Sequence, residues 1–140
     1  ESGPSAEPLA VALNDLAMIK APLGEVREAR ALLERSVAIY RGINAAPGMG
    51  EALGNLALVC ARQGDDHAAV SLYAEAVATM EATLGPGHPH LGMVLAEQAK
   101  ALRKTGQKSA ARQAERRAKQ ILASATAIEG LSTVDASALR

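Results

Sequence analysis

Three glycines, Gly24, Gly64 and Gly106, stand 40 and 42 residues apart, and the residues around them recur with them. ALNDLA at 12–17 matches ALGNLA at 52–57, and VLAEQA occupies 94–99. In the middle copy Leu53, Leu56, Ala57 and Cys60 fall at i, i+3, i+4 and i+7, one face of a helix. Gly64 interrupts the pattern, and Asp65 and Asp66 supply acids suited to the first turn of a new helix. Ala69, Leu72, Tyr73, Ala76, Val77 and Met80 then form a second apolar stripe. Ala29, Leu32, Leu33, Ser36, Val37 and Tyr40 repeat its spacing. A helix, a tight turn and an antiparallel helix cannot bury their apolar face alone, so repetition at this period demands a stack. The expected fold is all-α: three tandem helix-turn-helix hairpins.

Punctuation residues divide the chain. Residues 1–7 read as a frayed Ser/Pro/Gly leader, with Ser5 a candidate N-cap. Helices are expected over about 8–20, 25–41, 51–63, 65–84, 90–105 and 107–124. Gly42 through Gly50 reads as a Gly/Pro/Asn connector, and GPGHP at 85–89 ends the second hairpin. The repeats fall at about 8–46, 47–88 and 89–124, within a domain 8–124. Residues 125–140 read as a C-terminal tail or a short capping helix. Helix 6 closes the array in this reading. Glu115 and Lys119 replace Tyr73 and Val77 of helix 4, and terminal repeats carry a polar outer face. Its inner stripe persists as Ala111, Ala114, Ala118 and Ile121.

The order of small and large apolar positions in NLA…GDDHAAVSLYAEAV resembles the tetratricopeptide repeat (TPR). The period exceeds the usual ~34 residues of that motif. That length, with NLALVCARQG and the LGPGHPH connector, is most similar to kinesin-light-chain-like repeats, a branch widespread in bacterial multidomain proteins. The resemblance covers roughly residues 9–123. Two departures are local: Lys20 stands where Cys60 and Leu102 occupy the other copies, and Pro22 lies in the last turn of helix 1. The resemblance implies a short right-handed solenoid whose first helices line a concave groove for an extended peptide or a partner's helix. The residue before the NLA-type leucine commonly points into that groove, which here means Asp15, Asn55 and Glu97. Asn14, beside Asp15, joins them. About one turn on come Met18, Leu58 and Lys100, and a further turn on come Pro22, Arg62 and Lys104, with Arg103 beside the last. The wall grades from apolar to basic, and Asn55 offers a donor and an acceptor to a ligand backbone. The plain alternative is that these positions are merely exposed.

Composition narrows the function classes. At 140 residues, 49% hydrophobic and 1% aromatic, the interior must be built from Ala, Leu, Val and Met. A net charge of +0 points to neither nucleic acid nor membrane. No apolar run approaches the ~20 residues of a membrane span. The N-terminus lacks the basic start and apolar run of a signal peptide. Since the chain opens without Met, an excised or tagged chain is expected, a longer parent protein being one origin. Cys60, the single cysteine, lies on an apolar stripe and reads as a core thiol of a reducing, cytoplasmic compartment.

Chemistry-bearing clusters are thin. His88 and His90 bracket Pro89 at a spacing a metal could use, but no Cys is near, and they read as connector. His67 reads as a surface residue, and Ser36 and Ser71 lie mid-helix with no His at matching spacing. Gly-Pro-Gly lacks the Lys-Ser/Thr of a phosphate loop. No catalytic residue, metal or cofactor is expected. Lys100, Arg103, Lys104, Lys108, Arg112, Arg116, Arg117 and Lys119 place eight of fifteen basic residues within twenty positions. The run reads as a solvated capping helix, an acidic-partner patch or a nucleic-acid patch, and no aromatic interleaves it for base stacking. The reading taken is a non-catalytic module, a monomer or weak homodimer, that binds a partner peptide or helix in the groove, an acidic partner being one option. The alternatives are a structural spacer or self-association module pairing through the apolar groove end and, behind it, a nucleic-acid module acting through helix 6.

Overall fold

A computed structural model describes residues 5–138. Residues 1–4 of the expected leader and 139–140 of the expected tail lie outside the described residues. The described elements are α1 (Ala6–Lys20), a 3-10 turn (Ala21–Leu23), α2 (Val26–Ile43), α3 (Ala46–Arg62), α4 (Asp66–Leu84), α5 (Pro89–Lys104) and α6 (Lys108–Ala138). Among the described residues there is no strand. Each helix packs against the next, giving three antiparallel hairpins stacked side by side as an all-α repeat. Ser5 occupies the N-cap of α1 but its side chain makes no capping hydrogen bond.

The hairpin turns share one geometry. Gly24, Gly64 and Gly106 have φ of +85°, +79° and +81°, the left-handed region that L side chains avoid. At each turn the glycine N–H donates to the carbonyl three residues back, and the next N–H reaches five residues back. Those longer bonds are Glu25 to Lys20 at 3.2 Å, Asp65 to Cys60 at 2.9 Å and Gln107 to Leu102 at 2.8 Å. This pairing satisfies the orphan carbonyls at a helix end. Three identical turns set three hairpins in register.

The expected long connector over Gly42–Gly50 is corrected by the structure. α2 runs on to Ile43 and α3 begins at Ala46, leaving Asn44 and Ala45 between them. Asn44 adopts the left-handed conformation (φ 54°) and makes the same two bonds as the glycine turns, so it stops α2 without a loop. Pro47 sits in the first turn of α3, where its missing N–H leaves no bond unmade. Gly48 is needed for packing: a Cβ there would lie 2.4 Å from the Tyr40 ring. Residues that punctuate a sequence are here helical, because a closely apposed neighbour demands small side chains.

The core is a run of Ala, Leu and Val broken by few polar groups. α3 is buried on two faces, with Leu53, Ala57 and Cys60 on one and Ala52, Leu56 and Val59 on the other, as packing against both α2 and α4 requires. Burial pushes the Cys60 thiol above its usual value, which leaves it unreactive. Ser36, fully buried, donates to the Ala10 carbonyl at 2.7 Å and ties α2 to α1. Lys20, at its unusual repeat position, is held by Glu25 at 2.5 Å and Glu28 at 2.9 Å beside the first turn.

α6 runs well past the expected end near 124, reaching Ala138. It approaches α5 closely at Gly92, where a Cβ would meet Leu122 at 3.0 Å. From Ala123 to Glu129 its described side chains are largely exposed. The segment stays helical because it is alanine-rich and carries no proline. Ser124 and Thr126 bond back to the Gln120 and Leu122 carbonyls within the helix.

Candidate functional site

The first helices α1, α3 and α5 lie side by side on one face of the stack. Between α3 and α5 the surface opens into two adjoining clefts. One, of about 240 Å³, is walled by Gly54, Asn55 and Leu58 of α3, Tyr73 and Met80 of α4, and Met93, Val94 and Glu97 of α5, with Glu51 and His90 at its edge. The other, of about 300 Å³, continues along Leu58, Ala61, Arg62, Asp66, Tyr73, Glu97, Lys100, Ala101 and Lys104. Leu58, Tyr73 and Glu97 belong to both, so the two form one groove. It is apolar at the His90 end and cationic at the Lys104 end.

A single repeat position explains why the groove opens here. Asn14 of α1 corresponds to Gly54 of α3. Between α1 and α3 the place is filled: Asn14 is buried, and its Oδ1 accepts a hydrogen bond from Asn55 Nδ2 at 2.9 Å. Between α3 and α5 the corresponding place is Gly54, which has no side chain. Glu97, the counterpart of Asn55, turns instead to Lys100 at 2.7 Å. Tyr73 forms the floor, and burial raises its hydroxyl pKa well above the usual tyrosine value.

The structure brings together Asn55, Leu58, Arg62, Glu97, Lys100 and Lys104 of the expected groove residues. The other four stand elsewhere. Asn14 is interior, Asp15 is exposed and accepts only a long bond from Asn14 Nδ2 at 3.4 Å, and Met18 is half-buried on α1 outside both clefts. Arg103 is turned to α6, where its Nε donates to Glu115 Oε1 at 3.0 Å. That pair holds the Glu115 carboxyl below the usual range. Asn55 also differs from expectation, since its amide nitrogen already serves Asn14. Sequence reasoning missed Tyr73, Met80 and Val94, because residues of an apolar stripe read as core. It missed Gly54 because its signal is an absent side chain. Asp66 adds a carboxylate at the cationic end, with Oδ1 buried and unpartnered among the described residues. The N-terminal dipole of α4 favours a negative charge there.

Of the two expected connector histidines, His90 edges the groove and His88 lies outside it with a defined role. His88 is the N-cap of α5, its Nδ1 accepting the His90 N–H at 3.2 Å. The described residues contain no group of three or more His, Cys, Asp or Glu placed to hold a metal. Of the eight clustered cations, Lys100 pairs with Glu97, Arg103 with Glu115 and Arg117 with Glu81. No helix among the described residues is long and apolar enough to cross a membrane.

The family model of the tetratricopeptide repeat matches residues 8–82 and again 48–124. Among solved structures, a substituted form of a Podosopora anserina kinesin light chain of nearly identical TPR-like repeats is similar. It is 28% identical, with a TM-score of 0.68 over 84% of this chain and 56% of that one. The same protein without that substitution is also 28% identical, with a TM-score of 0.66 over 83% of this chain and 56% of that one. BtubC (BKLC) from P. vanneervenii shares the fold at 19% identity, with a TM-score of 0.75 over 84% of this chain and 48% of that one. The chain thus spans about half the length of these structures. No curated protein matches it.

Proposed function

Because this chain belongs to the tetratricopeptide repeat family, we propose that its α3–α5 groove binds an extended segment of a partner protein. TPR repeats are in general protein–protein interaction modules, and the fold is typically a non-catalytic scaffold. The observation that carries the reading is the continuity of the two clefts, apolar over Tyr73 and Met80 and cationic at Arg62 and Lys104. An apolar side chain of the partner enters over Gly54, and a carboxylate, from an acidic residue or a C-terminus, meets the cations. Arg62 and Lys104 carry no ion pair among the described residues, whereas Lys100 is shared with Glu97. They therefore supply the charge-assisted bonds, which are stronger than neutral ones. Asn55 contributes its remaining amide hydrogen and its oxygen to the ligand backbone.

Panning a random peptide display library against the domain tests this. Enriched sequences should combine an apolar residue with a carboxylate. Arg62→Ala with Lys104→Ala should weaken the selected peptide by about 2–4 kcal/mol, from two hydrogen bonds to a charged group. Arg112→Ala with Arg116→Ala on α6 should leave affinity unchanged. Loss of binding in the α6 variant alone would move the site to the capping helix and end the groove reading.

A further inference from the structure

The apolar end of the groove has a charge of its own. Glu51 stands at its edge, exposed and without an ion pair among the described residues, and no Lys or Arg lines that cleft. Glu7 and Asp15 of α1 are exposed as well. Their nearness shows at Tyr40, whose ring lies against Gly48, one turn before Glu51 on α3. Burial raises the Tyr40 hydroxyl pKa, and the fields of Glu7, Glu51 and Asp15 raise it further. Three carboxylates therefore gather beside the apolar end of the groove. The other end has the opposite balance: Arg62, Lys100 and Lys104 outnumber Asp66 and Glu97, and Glu97 is spent on Lys100.

A surface with separated signs favours a ligand of both signs over a purely acidic one, whose second carboxylate would meet Glu51. Given that the groove holds a partner segment, as proposed, we infer that this segment is bipolar. It carries a Lys or Arg that meets Glu51, an apolar residue over Gly54 and a carboxylate at Arg62 and Lys104. The helix sets the spacing. Glu51 and Arg62 stand eleven residues apart on α3. That is about 16 Å at ~1.5 Å per residue, and an extended segment spans it in about five residues. Gly54 lies three residues after Glu51, so the apolar residue falls nearer the basic one. The signs also fix how the segment lies along α3, its basic residue toward the N-terminal end.

The test pans one random peptide display library in parallel on the unaltered domain and on its Glu51→Lys variant. Glu51 is exposed, so the variant should melt with the unaltered chain. Peptides from the unaltered chain should carry a Lys or Arg about five positions from the carboxylate, with the apolar residue nearer the basic one. Peptides from Glu51→Lys should keep the apolar residue and the carboxylate and lose the basic one. Changing the basic residue of the best peptide to glutamine should weaken it roughly twofold to fivefold, as expected of an exposed ion pair. Against Glu51→Gln the same change should cost nothing. A basic residue retained in the Glu51→Lys pool, or absent from both pools, would overturn the inference. If Arg62→Ala with Lys104→Ala still weakens those peptides, the groove itself stands as the binding site. Peptides indifferent to that double change would end both.

Discussion

Two glycines with opposite physics separate conformational need from space. Gly64 sits at φ +79° with nothing within 4 Å of an added Cβ, so its reason to be glycine is the backbone. Gly64→Ala should lower stability by about 1–2 kcal/mol, the usual penalty of the left-handed region, read from the urea midpoint. Gly54 is helical, and a Cβ would meet only Val94 Cγ2 at an ordinary 3.6 Å. Gly54→Ala should therefore raise stability by up to about 1 kcal/mol through helix propensity while narrowing the groove. A variant that is both more stable and a weaker peptide binder is the expected outcome; unchanged affinity would show that the ligand does not enter over Gly54. Tyr73 links the groove floor to pH. Burial raises its hydroxyl pKa, so the folded chain keeps a proton that the unfolded chain releases near the ordinary tyrosine value of about 10. Its contribution is complete below that pH and declines as pH rises above it. Tyr73→Phe should flatten the loss of stability above about pH 10, measured by urea midpoints.

At the level of elements, helix ends rather than helix interiors hold the register. Three glycine turns and one asparagine turn close with the same pair of backbone bonds, and α5 starts on a histidine cap. His88→Ala should lower stability by about 0.5–2 kcal/mol, the usual effect of removing an N-cap acceptor. A melting curve identical to that of the unaltered chain would show that the Nδ1 contact contributes nothing. The surface ion pairs joining hairpins, Arg30 with Asp65, Arg41 with Glu75 and Arg117 with Glu81, are all partly exposed and belong to the class worth about 0–1 kcal/mol each. Hairpin stacking therefore rests on the apolar faces.

For the molecule as a whole, the first two hairpins share one buried cluster and the third centres on another, with Val70 and Val94 packed against both. Through those two valines the array is expected to unfold as one unit. Leu56, 5% exposed between α2 and α4, is the side chain whose truncation tests this. Leu56→Ala should cost about 2–5 kcal/mol and still give one transition by calorimetry. Two separated transitions would mean that the third hairpin folds apart from the first two.

The hairpins, their order and their inner faces were legible in the residues alone, because apolar periodicity and left-handed turn glycines are local properties. Leu53, Ala69, Tyr73 and Ala111 announce their burial by spacing, whatever else the chain does. The expected groove was legible by half. Leu58, Arg62, Glu97, Lys100 and Lys104 point where the repeat pattern places them, yet Arg103 was drawn away by Glu115, a contact between helices that no spacing encodes. Asn14 and Asn55 satisfied each other across two repeats, which required the actual distance between α1 and α3. The missing connector at 42–50 has the same origin, since Gly48 reads as a breaker until Tyr40 is seen against it. Sequence determined which faces seek burial and where the chain turns. Tertiary structure alone decided which polar groups find partners and where an absent side chain leaves a cleft, because both depend on gaps between helices brought together by packing.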